Sequence, residues 1–218
     1  MEKIKESLKP IRPAILVTLI LLLICGFVYP LVMNGLGAVL FPHQAKGSLL
    51  TVGDTAVGAA HVGQEFTEDY FMKGRPSAVH YNTYKYDEEG NAVTADGSEF
   101  GGVASGSQNL APSNPALTER VEADIEAFLE KNPTVSREDI PTDLLTASGS
   151  GLDPEISPAS AAIQIPALAE ASGLSEEAID GFVEDNTVHK LLGIFGEERV
   201  NVLGVNLDIA EAMGLFSE

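Results

Sequence analysis

A single cysteine, Cys25, lies in a stretch, residues 13–45, that contains no Asp, Glu, Lys or Arg. With no second thiol in the chain, a disulfide is excluded, and whatever folds beyond that stretch is held by its core. Basic residues are also scarce, 13 Lys and Arg against 32 Asp and Glu, which leaves a net charge of −19. Such an acidic chain repels phosphate backbones, so binding of nucleic acid is excluded as a function. No Gly-x-x-x-x-Gly-Lys-Ser/Thr is present, and with it goes the loop that would cradle a nucleotide's phosphates. The four histidines, His43, His61, His80 and His189, are scattered without ligand spacing, so no metal site is expected.

What the charge-free stretch does contain is a long apolar run. Ala14 to Phe27 is almost wholly aliphatic and continues through Val28, Tyr29 and Pro30 to Phe41. About 20 apolar residues cross a hydrocarbon core of about 30 Å, so the run is long enough to span a bilayer. Gly35-Leu36-Gly37 offers a small-residue cleavage site. The run nevertheless exceeds the roughly 7–15 residues of a signal peptide's apolar region. Lys3, Lys5, Lys9 and Arg12 precede it, and Lys46 is the only Lys or Arg between Phe41 and Lys73. Positive flanks stay cytoplasmic. The expected arrangement is a cytoplasmic tail at 1–12, a membrane helix with its exit at 13–41, and an extracytoplasmic domain at 42–218. Residues 1–12 sum to +2, which leaves −21 for the rest. Within the span, Gly26, Tyr29, Pro30, Gly35 and Gly37 are the candidates for packing on other helices, because Pro frees a carbonyl and Gly admits close approach.

The domain reads as α+β. Residues 41–48 leave the membrane as a polar turn, and 51–60 mix β-branched residues with glycine as a strand or hairpin. Residues 66–82 are irregular, and 84–103 form an acidic, exposed loop. Asn114 and Pro115 supply a cap and a first-turn proline for a helix at about 115–131, with Leu117, Val121, Ile125, Phe128 and Leu129 on its apolar face. A helix opens at Ser157-Pro158 and runs to about Ala171, with Pro166 as a kink or the first turn of a second piece. Another is capped by Ser175. Residues 200–212 suit a helix, with a strand at Val200–Gly204 as the competing reading.

Other chemistry is thin. Ser148 and Ser150 sit in a glycine-containing loop that only superficially matches a nucleophile turn, which leaves an anchored external hydrolase as an alternative function. A tethered solute-binding domain is a second. Asp87, Glu88, Glu89, Asp96 and Glu99 lack the spacing of a calcium loop and read as a solvated acidic segment. The Asp-Lys-Thr-Gly motif of phosphorylated ion pumps is missing, so the chain alone should neither hydrolyse ATP nor form a phosphoenzyme.

Several segments, taken in order, resemble the C chain of the Kdp potassium-transporting ATPase. They include Tyr29-Pro30-Leu31, Leu40-Phe41-Pro42-His43-Gln44, Val62-Gly63-Gln64, Phe71-Met72-Lys73-Gly74-Arg75-Pro76-Ser77 and Tyr81-Asn82. Ser105 to Leu110, Leu145 to Pro154, Gln164-Ile165-Pro166, Arg199 to Leu203 and Asn206-Leu207 complete the set. The resemblance implies an accessory subunit, not catalytic by itself, of a high-affinity potassium uptake pump in the cell membrane. Its implied partners are a channel-like potassium-binding subunit, a P-type ATPase subunit and a small single-span subunit. It also implies a chaperone-like rise in the pump's affinity for ATP, a role carried in the family by positions that match Ser105, Gly106, Ser107, Gln108, Asn109 and Gln164. This chain has Gly106-Ser107-Gln108 where the family more often has Gly-Gly-Ser, and it carries an added acidic stretch at 84–103. Potassium is then the transported ion of the complex. The inferred topology places Gln164 outside, away from cytoplasmic ATP, and favours packing of the domain on the outer face of the channel-like subunit.

Overall fold

The computed structural model describes residues 11–94 and 97–216. Lys3, Lys5 and Lys9, on which the orientation argument rests, and Asp96 of the acidic segment lie outside the described residues. The chain divides into two compact units, the first ending at Leu49 and the second beginning at Leu50.

The first unit is built on one helix, α1, Ile11–Leu40, whose mean hydropathy reaches 2.8 over its most apolar window. Thirty residues rise about 45 Å, more than a hydrocarbon core is thick, so α1 is fit to cross a membrane with tilt to spare. None of that window is buried within the chain. Pro30 lacks an N–H and its ring crowds the preceding turn. The helix answers with a π turn at Ile24–Val28, where the Tyr29 N–H reaches back to the Ile24 carbonyl. Phe41 ends α1, and the polar turn expected at 41–48 instead holds a short helix, α2, Pro42–Ala45. Pro42 explains the correction: its fixed φ suits the first helical position.

The second unit is a mixed α+β domain. Strands β1 (Leu49–Val52) and β2 (Thr55–Ala59) form the hairpin expected at 51–60. The 84–103 segment is not a plain loop. It carries an antiparallel hairpin, β3 (Lys85–Tyr86) with β4 (Ala92–Val93). The Asp87 carboxylate closes its turn by accepting from the Asn91 N–H at 2.7 Å, and Tyr84 stacks on Phe100. Helix α3, Pro115–Lys131, has the expected bounds, with the Asn114 side chain capping the Ala116 N–H. Ile125 is buried, and Val121, Phe128 and Leu129 pack beside it.

The rest of the domain wraps helices on a small antiparallel sheet. Its strand order is β5 (Glu155–Ile156), β7 (Arg199–Asn201), β6 (Thr187–Val188). Ile156 faces Val200, and Thr187 faces Val200 from the other side. The helix expected at 157–171 is two helices, α4 (Pro158–Ala162) and α5 (Ile165–Ser172), with Pro166 in the first turn of α5 and Gly173 ending it in a left-handed conformation. Helix α6, Glu176–Asp185, is capped by Ser175, and α7, Val202–Ala212, follows directly on β7. The 200–212 segment is thus both a strand and a helix. The core runs through Ile156, Ala161, Leu168, Ile179, Val200, Val205 and Ile209.

Candidate functional site

Three of the segments that carried the resemblance, through Gly63, Arg75 to Ser77, and Ser105 and Gly106, meet a fourth in one knot of irregular backbone around residues 146–153. The Gly63 N–H donates to the Leu152 carbonyl at 2.8 Å, and the Ser148 N–H to that of Pro76 at 3.2 Å. Ser77 Oγ donates to the Gly151 carbonyl at 2.7 Å. Arg75 pairs with Asp153 at 2.9 Å and also reaches the Thr146 carbonyl. Gly106 N–H and Ser105 Oγ both donate to the Ser150 carbonyl, at 2.8 and 3.0 Å. Gly151 has a positive, left-handed φ, and a Cβ there would meet the Gly106 carbonyl at 2.8 Å. The close approach of these two stretches of chain therefore requires glycine. The backbone groups of Gly63, Pro76, Gly106, Ser148, Ser150, Gly151 and Leu152, outside helix and sheet, thus find partners in side chains and turns.

Three amide side chains stitch the knot's surroundings, each bonding both backbone groups of one residue. Asn206 accepts from the Met72 N–H at 2.7 Å and donates to its carbonyl at 2.9 Å. Gln164 accepts from the Lys73 N–H at 2.9 Å, donates to its carbonyl at 3.2 Å, and donates again to the Ser160 carbonyl at 3.0 Å. Asn82 clasps Ala104 in the same way, at 2.9 and 3.0 Å. Met72 is wholly buried, while Gln164 is 3% and Asn206 2% exposed. Of the nucleotide residues expected from the resemblance, Gln164 is therefore committed at both ends of its amide. Ser105 and Gly106 are committed to Ser150. Ser107 and Asn109 bond each other, with Asn109 in the left-handed region.

Two recesses flank this network. A cleft of about 170 Å³ is lined by Glu65, Lys73, Arg75, Ser77, His80 and Tyr81. Glu65 Oε2 and Arg75 Nε are buried there without a hydrogen-bond partner, the polar focus of the cleft. Burial pushes the Tyr81 hydroxyl up to about 12, and it donates to the Arg75 carbonyl at 2.6 Å. His80, Tyr81 and Asn82 are consecutively left-handed, all three with positive φ. That rare conformation is held by Ser77 Oγ, which accepts from the Tyr81 N–H, and by the Asn82 clasp. A second, larger groove of about 960 Å³ runs between α3 and α5 and is lined by Gln164 but by none of residues 105–109. Its walls bring Glu65, Asp69, Asp124, Glu130 and Glu170 against only Lys73 and Lys131.

The remaining candidates have other employment. Ser148 is 1% exposed and its Oγ accepts from the Gly151 N–H, and Ser150 Oγ accepts from the Leu152 N–H. Among the described residues neither serine has a histidine partner; His80 faces Glu65, and His189 faces Glu184 and Glu198. In α1, a Cβ at Gly26, Gly35 or Gly37 would meet nothing within 4 Å, and Tyr29 is exposed. Gly35 and Gly37 lie two residues apart and so face opposite sides, whereas Pro30 and Gly37, seven apart, share a face. Asp143 escaped sequence reasoning. Burial works to raise its pKa, but bonds from the Ser157 N–H and the Ser157 and Ser160 hydroxyls outweigh that and lower it. Those partners lie 14 and 17 residues away, so no local pattern announced the role.

Comparison with known proteins gives a consistent result. The family described as KdpC, K+-transporting ATPase, c chain, matches residues 11–211. A Clostridium kluyveri protein named potassium-transporting ATPase KdpC subunit is 55% identical, over 96% of this chain and 97% of its own length. A Clostridioides difficile protein of the same name is 54% identical over 96% of this chain and all of its own, and one from Caldanaerobacter subterraneus subsp. tengcongensis is 43% identical over 96% and 95%.

Proposed function

We propose a role for this chain that starts from its family: it belongs to the KdpC family, the c chain of K+-transporting ATPases. It is accordingly a subunit of a potassium-transporting ATPase, with one N-terminal apolar helix fit to anchor it. On our reading it is an accessory, non-catalytic subunit that works by packing on its partners: the channel-like subunit, the P-type ATPase subunit and the small single-span subunit. The domain lies outside the cell membrane, against the outer face of the channel-like subunit. Pro30 and Gly37 offer the face of α1 on which a neighbouring helix approaches closely. A rise in the pump's ATP affinity then travels through subunit contact, with no nucleotide held by this chain.

The observation that carries this reading is the Gln164 amide, buried and bonded at both ends to backbone. Its surroundings agree. The small cleft, at about 170 Å³, is smaller than the pockets that hold ligands. The groove is large enough, but five acids against two lysines repel a triphosphate.

The test joins binding and stability. In Gln164→Leu the Lys73 N–H and carbonyl and the Ser160 carbonyl lose their partner, at about 1–3 kcal/mol for each group left unsatisfied. Melting of the detergent-solubilised full chain should fall on the order of 10 °C. Labelled ATP should show no saturable micromolar binding to the unmutated chain. Saturable binding that Gln164→Leu abolishes without lowering the melting temperature would overturn the reading.

A further inference from the structure

The turn joining β6 to β7 is the most conspicuous surface feature that the knot does not use. Leu191, Leu192, Ile194 and Phe195 are 70%, 81%, 76% and 62% exposed, side by side at the tip of a hairpin. The Leu191 and Phe195 backbones exchange hydrogen bonds at 2.9 and 3.0 Å, and the Ile194 N–H donates to the Leu191 carbonyl at 3.2 Å. Leu192 and Gly193 both have positive φ. Two consecutive positive values at the centre of such a turn define type I′. Asn-Gly or Asp-Gly suits the two central positions. Here a leucine occupies the first of them, in a backbone conformation that L side chains other than Asn and Asp rarely adopt. Strain and an exposed apolar cluster coincide at one tip, and neither benefits the isolated domain.

We propose that this tip is a docking knob that inserts into an apolar pocket, rimmed by basic side chains, on another subunit of the potassium-transporting ATPase. This deepens the packing role given above and rests on it. Charge selects the occupant. The base of the hairpin carries Glu184, Asp185, Glu197 and Glu198, with His189 bridging Glu184 at 3.3 Å and Glu198 at 3.2 Å. Lys190 and Arg199 are the cations beside them, and Arg199 is paired with Glu155 at 2.8 Å. An acidic collar around an apolar tip is repelled by anionic lipid headgroups. It is repelled equally by a second copy of a chain that carries −21 over residues 13–218. A protein surface with an apolar centre and a positive rim is complementary to both parts.

The experiment uses the assembled complex in its membrane. A photo-crosslinking amino acid at Leu192 should yield an adduct with another subunit of the pump, and one at Glu119, on the exposed side of α3, serves as the comparison position. An adduct with phospholipid, with a second copy of this chain, or no adduct at Leu192 overturns the knob. If Glu119 nevertheless reaches a subunit, the packing reading survives the knob's failure. If neither position reaches one, both fall. A second variant separates docking from folding. Leu192→Asn suits the left-handed position, so the full chain should melt at the same or a higher temperature. Its association with the other subunits should weaken about tenfold, the loss expected for one apolar anchor. A fall in melting temperature, or unchanged association, refutes the proposal.

Discussion

At the residue scale, Lys73 ties the network to pH. Its amine donates to the Phe66 carbonyl at 2.9 Å and to that of Glu68, beside the Gln164 clasp on its own backbone. Burial, followed by the nearby charge of Lys131, brings its pKa down from 10.5 to about 8, with Asp69 and Glu68 opposing. The folded state therefore disfavours the charged amine, while the unfolded chain holds its proton up to the ordinary lysine value. Between pH 8 and 10.5 the unfolded state binds more protons than the folded one, so this group's contribution to stability rises with pH across that window. Below about pH 8 the amine is charged in both states, and the fold bears the whole cost of desolvating it. Lys73→Met removes the titration. In urea unfolding across the window, the wild type should gain on the variant as pH rises. Parallel stability profiles would show that the amine is not desolvated in the fold. Carbonyl acceptors on an irregular segment make this lysine unusual, since a paired lysine would be held charged.

At the scale of elements, Asn201 joins three of them. It ends β7, caps α7 by accepting from the Gly204 N–H at 2.9 Å, and donates to the Ala60 carbonyl beyond β2 at 2.8 Å. An N-cap is worth about 1 kcal/mol and a further hydrogen bond about as much. Asn201→Ala should cost about 2 kcal/mol in chemical unfolding, and Asn201→Ser, which keeps the cap alone, about half of that. Equal losses would mean that the bond to Ala60 contributes nothing. The same junction shows what was legible in the sequence. Helix α3 could be read because Asn114, Pro115 and a sustained apolar period agree, and α6 because Ser175 precedes it. Strands β5, β6 and β7 are two or three residues long, too short for any alternation to develop. The 3–4 spacing of Val200, Leu203 and Leu207 favoured a helix from residue 200, so helix and strand read as alternatives where the chain has β7 and then α7. Leu192 concealed the β6–β7 turn, since leucine is no signal for a left-handed position. The site was legible as a set of residues but not as an arrangement. Gln164 lies 91 residues from Lys73 and Asn206 lies 134 from Met72, and an amide so placed can clasp backbone or bind a ligand with the same sequence around it.

At the scale of the whole molecule, the charges are sorted along the chain. The first twelve residues sum to +2 and everything after them to −21, with the apolar helix between. Lysine and arginine near a span resist translocation, whereas acids scarcely affect it. The proposed packing role accordingly puts the domain on the outer side, against the channel-like subunit and out of reach of cytoplasmic ATP. The cysteine content makes this testable with little engineering. Cys25 sits in α1, in a window suited to hydrocarbon, so a charged, membrane-impermeant maleimide should leave the unmutated chain unlabelled. Glu119→Cys adds one thiol on the solvent side of α3, at a position that is exposed. Intact cells producing the full complex should label this variant, and permeabilising them should add little. Labelling that appears only after permeabilisation would place the domain inside. It would remove the outer docking face and put the acidic groove and the buried Gln164 within reach of ATP, the one arrangement in which direct nucleotide contact becomes physically available.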